Sequence, residues 1–457
     1  MNETKKTIDK KKIIFSIIIV VLIAFLVISF VIALHNHNTN DSTNTNTNTS
    51  SKSSTSISSD TITSGGTYKI DGSSECIVIN TTDSVELDLD SATITCESGP
   101  AINVESAGKV SIVLSGESVI TSTTTEDLDG AIYSKDDLIF SGSGSLKITS
   151  NYDGIVSKDS LEFKGGTYEI NASDDGIRGK DSVDISGGTF NITSGGDGIK
   201  TTNEEDSEKG YINITGGTFT INSRNDGIQA ITKLYIKAGT FTIKTTGNAS
   251  TESAKGLKSD TLITIEGGTF NITSTDDGIH SNGNIVINDG KITVKASDDG
   301  IHGDGMVEIN DGTINITARE GIEGTYVKIN GGTITISASD DGINAGNKSS
   351  AYSVKIEING GTITITMGSG DTDAIDSNGD IYINGGTINI TGQNAFDYDG
   401  NAKYTGGTII VNGTTTNQIT NQFANEGNMG GMNNNPGNRM GNGQQGMNQR
   451  GNIPGAR

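Results

Sequence analysis

An aspartate returns at nearly fixed intervals through most of this chain. Asp153, Asp175, Asp197, Asp226, Asp277, Asp299, Asp341 and Asp373 are each followed by Gly-Ile, or by Ala-Ile at the last. In four copies the acid is doubled by its neighbour, Asp174, Asp276, Asp298 or Asp340. If the repeats stack, these carboxylates form a column at close spacing. Like charges so placed repel unless something neutralises them or raises their pKa values. Ca²⁺ suits such a column, because it takes six to eight oxygen ligands. An Asp-Gly pair also shapes turns by capping backbone amides. Both roles fit a single aspartate, while acids recurring in register favour a bound cation somewhere along the column.

Lys255 stands in the aspartate's place between Asp226 and Asp277. It serves there either as a fixed cation or, with a lowered pKa, as a base beside bound Ca²⁺. Three residues past each acid runs a second row: Arg178, Lys200, Gln229, Lys258, His280, His302, Glu323, Asn344 and Asp376. Arg178, Lys200 and Lys258 are suited to the carboxylates of an acidic sugar. His280 and His302 should be stacked neighbours. They fit sugar contact or a solvated ladder, and only two imidazoles speak for a transition-metal site. The sequence has no Trp, and outward Tyr235 and Tyr382 stand alone. Polar or Ca²⁺-bridged contact with a polysaccharide is therefore expected rather than stacking on an aromatic platform.

What must position these rows is a repeat. Asp276-Asp277-Gly278-Ile279-His280 returns 22 residues later as Asp298-Asp299-Gly300-Ile301-His302. The register is kept through Glu320 and Asn394, with most steps of 21 to 24 residues and three longer ones of 29, 29 and 32. The long steps contain the polar inserts TTNEEDSEKG, TGNASTESAK and AGNKSSAYS, which must leave the coil as loops. A period of this length marks a solenoid, in which each unit buries its apolar side only by stacking. Within a unit, Val183 and Ile185 precede a Gly-Gly-Thr turn, and Phe190 and Ile192 follow it. That is strand alternation with no helical period. The turns are too short for crossover helices, so the reading is an all-β chain, a single-stranded parallel β-helix of about 15 coils. Phe190, Phe219, Phe241 and Phe270 should form an internal ladder, and Thr189, Thr218, Thr240 and Thr269 an external one.

The ends are different. Residues 1–12 form a basic segment, and residues 13–34 carry no charge and follow five lysines. That length crosses a hydrocarbon core of about 30 Å with the N-terminus inside. We read it as one transmembrane helix, an uncleaved anchor to the cell membrane in preference to a cleaved signal peptide that would leave the protein secreted, and in either case place the rest outside the cell. Residues 35–60, almost wholly Asn, Ser and Thr, read as a flexible tether, and 61–412 as the β-helix domain. Residues 413–457, rich in Gly, Asn and Met, read as a disordered tail. Between 61 and 412 there are 23 basic and 50 acidic groups. That balance excludes nucleic acid as a partner and favours cations. Cys76 and Cys96, about one coil apart, are either a disulfide or two buried thiols.

The Asp-Asp-Gly-Ile-His and Gly-Gly-Thr repeats, the lysine-led apolar segment, the Ser/Thr/Asn tether and the Gly/Met/Asn tail together resemble the clostridial carbohydrate-binding β-helix family. That family is similar in fold to the pectate-lyase-like polysaccharide lyases. The resemblance implies a right-handed parallel β-helix that binds Ca²⁺ and plant cell-wall polysaccharides such as cellulose or polygalacturonate, without established catalytic activity. A related lyase would pair a Lys base with Ca²⁺-binding aspartates. Lys255 or Lys258 near Asp226 and Asp277 is the nearest match, although no coil is marked as a catalytic centre. The leading expectation is thus a non-catalytic, Ca²⁺-dependent polysaccharide-binding protein at the cell surface. A polysaccharide lyase and a structural stalk or adhesin are the alternatives.

Overall fold

The computed structural model describes residues 55–56, 61–370 and 372–421. The basic segment, the spanning segment 13–34 and nearly all of the tether and tail lie outside the described residues. Every regular element among the described residues is a β-strand.

Each coil lays down strands on three faces. On the first, short strands follow the recurrent acid: Ile177–Gly179, Ile199–Thr201, Ile228–Ala230, Leu257–Ser259 and Ile279–Ser281. The second face holds Ser182–Ile185, Tyr211–Ile214, Lys233–Ile236 and Leu262–Ile265, and the third Thr189–Ser194, Thr218–Ser223, Thr240–Thr245 and Thr269–Thr273. Strands of successive coils pair in parallel on every face. The third face is a sheet of sixteen strands. In Asp299–Ile309 and Glu320–Ile329 a single strand runs through the first and second faces, so those faces form one continuous sheet. The stacking is that of a parallel β-helix.

The expected alternation holds. Ile177, Val183, Ile185, Phe190 and Ile192 are all buried in one coil. Phe190, Phe219, Phe241 and Phe270 stack with ring centroids 5.0, 4.7 and 4.6 Å apart and nearly parallel planes. This is the coil spacing, so identical rings in register stack with no change of rotamer. Outside, Thr189, Thr218, Thr240 and Thr269 pair in sequence.

Two glycine columns do different work. In the Gly-Gly-Thr turn the second glycine takes a left-handed backbone, with φ of 116° at Gly188 and 112° at Gly268. The glycine after each acid is needed for room. A Cβ on Gly227 would lie 2.4 Å from Ile243 Cγ2 and 2.5 Å from the Gly256 carbonyl oxygen.

The body begins earlier and ends later than 61–412. Residues 55–56 pair with Tyr68 and Lys69, and Thr414–Thr416 folds back antiparallel on Thr408–Val411. This hairpin ends the parallel stacking of the third face. The Tyr398 carbonyl accepts a bond of 2.7 Å from Asn421 Nδ2. At the other end Cys76 and Cys96 are disulfide-bonded, with Cα atoms 4.9 Å apart. A row of asparagines just before the glycine turns is zipped on the second face. Asn310, Asn330, Asn359 and Asn384 each donate Nδ2 to the Oδ1 of the asparagine one coil back, at 2.7 to 2.9 Å, beginning at Asn288.

Candidate functional site

The aspartate column exists, and its two carboxylate oxygens have separate tasks. Oδ1 accepts the backbone amide of the equivalent residue in the next coil: Asp175 on Asp153 at 2.9 Å, Asp197 on Asp175 at 2.7 Å, Asp226 on Asp197 at 2.8 Å and Lys255 on Asp226 at 2.8 Å. Beyond Lys255 the same bond links Asp299 to Asp277 and Asp373 to Asp341. The acid is thus a brace between coils, where an aspartate merely shaping a turn would serve its own coil.

The other oxygen meets the row three residues on. Arg178 lies 2.6 Å from Asp153 Oδ2, and Lys200 lies 2.8 Å from Asp197 Oδ2 and 3.5 Å from Asp175 Oδ2. Lys258 reaches Asp226 Oδ2 at 3.3 Å, His280 reaches Asp277 Oδ2 at 2.8 Å, and His302 reaches Asp299 Oδ2 at 3.0 Å. The expected row is present in full register. Its cations Arg178, Lys200 and Lys258, expected to meet an acidic sugar, bend back onto the column. From Asp153 to Asp299 the protein supplies its own counter-charges. Lys255 sits 2.5 Å from Asp276 and 3.1 Å from Asp277. Burial works against its charge, but these two carboxylates outweigh it and raise its pKa. Of the two roles weighed for Lys255, the fixed cation is the one this geometry suits. Asp277, ringed by His280, Lys255 and His302, has its pKa pulled down despite burial.

The doubled acids divide in the same way. Arg319 bridges Asp298 and Asp340 at 2.5 and 2.6 Å and also touches Glu320 at 2.7 Å. Asp174 is raised by burial and by Asp175 beside it. Oxygens of Asp153, Asp174 and Asp175 come within 4.8 Å of one another, as do those of Asp276, Asp277 and Asp298. Each group has the donor chemistry of a hard cation site.

Past Glu320 the row changes sign. It continues as Glu323, Asn344, Asp376 and Asp397. Asp341 is pushed up to about 7 by burial and by Asp376. Asp376 is pushed up to about 7 by burial and then by Asp397, Asp373 and Asp399. No basic side chain lies within 4.0 Å of the Asp341 or Asp376 carboxylates among the described residues. Asp376 and Asp397 were not among the expected ligands, although the row that contains Asp376 was visible in the sequence.

On the second face, five neighbouring coils enclose a shallow groove of about 360 Å³ lined by Ile139, Glu162, Ser182, Asp184, Tyr211 and Asn213 among others. Asp184 is its hub, accepting bonds from Ser182 at 3.1 Å, Asn213 at 2.9 Å and Tyr211 at 3.4 Å. Tyr211 directly follows the insert TTNEEDSEKG. No sequence motif marks this groove, because its residues come from five coils and differ in each.

A family model described as a carbohydrate-binding domain-containing protein matches residues 56–300 and 296–435. The chain belongs to this carbohydrate-binding family. A solved structure described as the polysaccharide lyase-like protein from C. thermocellum, as a gadolinium derivative, is similar at 28% identity. It covers 51% of this chain and 90% of its own, with a TM-score of 0.39. No curated protein matches the chain.

Proposed function

We propose that this protein is a non-catalytic, surface-displayed polysaccharide-binding protein whose hold on plant cell-wall glycans such as cellulose or polygalacturonate depends on Ca²⁺. Membership of the carbohydrate-binding family supports the ligand class. The observation that carries the calcium part is the change of sign along the row. Up to Asp299 the column has basic neighbours in Arg178, Lys200, Lys255 and Lys258, although burial still lifts Asp153 and Asp299 to about 7, whereas around Asp341 and Asp376 the neighbouring charges are further carboxylates. Burial with like charges disfavours ionisation, and a divalent cation relieves both penalties. A cation near Asp341 and Asp376 would relieve their mutual repulsion, and the carboxylate oxygens that already lie within 4.8 Å of one another, those of Asp153, Asp174 and Asp175, offer a second place. A carboxylate-bearing glycan can complete the coordination of such an ion, and a neutral glycan fits the polar groove around Asp184. Residues 13–34 would anchor the protein in the cell membrane.

The lyase reading is weaker. A lysine base must lose its proton near neutral pH, and Lys255 is shifted the other way by Asp277 and Asp276. The test is retention of the full chain on immobilised cellulose and polygalacturonate, with Ca²⁺ and with chelator, while absorbance of unsaturated uronide is followed. Retention only with Ca²⁺ and no absorbance rise is expected. Failure to bind any plant or wall polysaccharide with Ca²⁺ present overturns the proposal, and a Ca²⁺-dependent absorbance rise replaces it with a lyase.

A further inference from the structure

The third face differs from the other two in what it shows to solvent. Nine of its strands, from Thr189–Ser194 to Thr387–Thr391, each turn three side chains outward. Of these twenty-seven positions eighteen are Thr, five Asn, one Ser and three Lys, and none is buried. Not one carries a carboxylate, in a chain whose formal charge is −23. Strand propensity favours Thr and disfavours acids, but it does not account for this difference. The second face is built from strands of the same coils, and it turns Asp184, Glu308, Glu357 and Asp380 outward.

The polar groups of the third face are also left over. Acids and cations of the first face pair with one another, and the asparagines of the second are zipped. Among the described residues, none of the twenty-seven side chains has a hydrogen-bond or ion-pair partner within the protein. The nine strands stack in unbroken register, from Thr189 over Thr218 to Thr362 over Thr387. Hydroxyls and methyls thus recur about 4.8 Å apart across the strands and about 6.6 Å apart along each one. The plane covers roughly 850 Å², close to the share of about 800 Å² that one partner gives to a stable interface. Thr is stiff about χ1, so this lattice is ordered before anything binds to it.

Its occupant must be uncharged, flat and rich in hydroxyls. A second copy of the chain is a poor match, since sheets that pack face to face do so through apolar side chains, and these strands turn none outward. A neutral polysaccharide packed into a solid offers hydroxyls at its ring edges and C–H groups on its ring faces, and threonine answers both. Each hydrogen bond contributes only about 0.5–1.5 kcal/mol, so a short soluble chain gains little and a solid that meets many positions at once gains much. Lys244, Lys291 and Lys295 can lay their stems along the plane.

We propose that the third face is the surface by which the protein lies on an insoluble neutral polysaccharide. The inference rests on the polysaccharide-binding reading and divides its labour. The solid meets the third face, a carboxylate-bearing glycan and its cation meet the first, and a single chain enters the groove around Asp184.

The experiment measures partition of the full chain onto microcrystalline cellulose and onto immobilised polygalacturonate, with Ca²⁺ in every sample. Thr220→Glu, Asn271→Glu, Asn315→Glu and Thr364→Glu are combined in one chain, on alternate coils of the central column. A second chain carries Lys at the same four positions, and a third carries Ser. Glu169 already stands on this column, paired with Asn191, so a charge there is compatible with the fold. The Glu and Lys chains should each lose more than about tenfold in partition onto cellulose, because the solid must strip water from charges it cannot pair. Their Tm and their retention on polygalacturonate should not change. The Ser chain, still small and neutral, should stay within about threefold of wild type. If the Glu chain melts early, the Lys chain decides. Equal partition of wild-type and charged chains onto cellulose overturns the proposal and leaves the broader reading standing, whereas a wild-type chain that binds no polysaccharide overturns both. Loss in a well-folded Glu chain but not in the Lys chain would trace to net charge, and equal loss on polygalacturonate to a shared site, and either overturns the proposal. So does a wild-type dimer that the charged chains split into monomers, which would make the face a contact between copies.

Discussion

Replacing Asp226 tests whether the aspartate column is a brace or a metal site. Asp226 is 1% exposed. Its Oδ1 accepts the Lys255 amide at 2.8 Å and the Ser253 hydroxyl at 2.8 Å, and its Oδ2 lies 3.3 Å from Lys258. In Asp226→Ala the Lys255 amide loses its acceptor inside the protein, a cost of about 1–3 kcal/mol. Breaking a buried ion pair by removing one partner costs about 3–5 kcal/mol. Lys258 keeps 17% of its surface in water, so the lower part of that range applies. The two losses share one residue and do not simply add. We expect about 3–5 kcal/mol for Ala. For Asn, which keeps the amide acceptor but not the charge, we expect the ion-pair part alone, about 2–3 kcal/mol. At roughly 2 °C per kcal/mol or less for a chain of this size, Tm falls by several degrees for Ala and by clearly less for Asn. The assay is thermal unfolding by circular dichroism, run in Ca²⁺ and in chelator. Both shifts should be the same in the two buffers, because the bonds involved are internal. Equal losses for Ala and Asn would refute the amide brace. A loss seen only with Ca²⁺ would make Asp226 a metal ligand.

Two further outcomes follow from the same geometry. Asp341 and Asp376 titrate near 7 in the fold but near 4 in an unfolded chain, so between these values the folded state holds protons that the unfolded state has lost. With chelator present, stability should therefore fall as pH rises from about 4 to about 7, by about 1–2 kcal/mol for each group after allowing for its exposure. The Tm gain on adding Ca²⁺ should accordingly be larger at pH 8 than at pH 5, and an equal gain at both would refute the site. Gly278→Ala places a Cβ 2.2 Å from Val294 Cγ1 and 2.7 Å from the Gly300 carbonyl oxygen. It should cost about 1–3 kcal/mol or more by thermal melting, and a neutral substitution would mean that the coils part more easily than their packing suggests.

Much of the fold was legible because a solenoid repeats its instructions. The period put Phe190 over Phe219 and Arg178 beside Lys200, and the strand registers agree. Periodicity gives the row on which a side chain starts but not where its end goes. Long cations such as Lys200 and Lys258 have the reach to turn back to a buried carboxylate, and electrostatics, absent from any period, decides that they do. The reason for glycine after each acid was also hidden. It lies in contact with a residue some 16 positions later, Gly227 against Ile243, and not in the dihedral of the turn. Where the repeat is worn, the sequence misleads by a residue. At Asp129-Gly130-Ala131-Ile132, which reads as a worn copy of the Asp-Gly-Ile position, Gly130 pairs with Asp153 and Ile132 with Ile155, the extra Ala131 putting the acid one residue out of register. The groove around Asp184 had no signal, being built from unlike residues in register. The asparagine zipper had one, the same residue before the glycine turn at 288, 310, 330, 359 and 384.

That zipper bears on how long the protein lasts. Asn330, Asn359 and Asn384 each precede glycine, the neighbour that best allows an asparagine to cyclise onto the next backbone nitrogen and lose ammonia. Here every one of those side-chain amides is engaged, donating to one rung and accepting from another, down to Thr405, whose hydroxyl bonds Asn384 Oδ1 at 2.8 Å. Conversion of a single rung to aspartate would replace a donor with a second acceptor and set a negative charge against the carbonyl oxygen of the rung before it. The cost of the first lesion is therefore shared by its neighbours, so the row that stiffens the C-terminal coils also slows their chemical ageing.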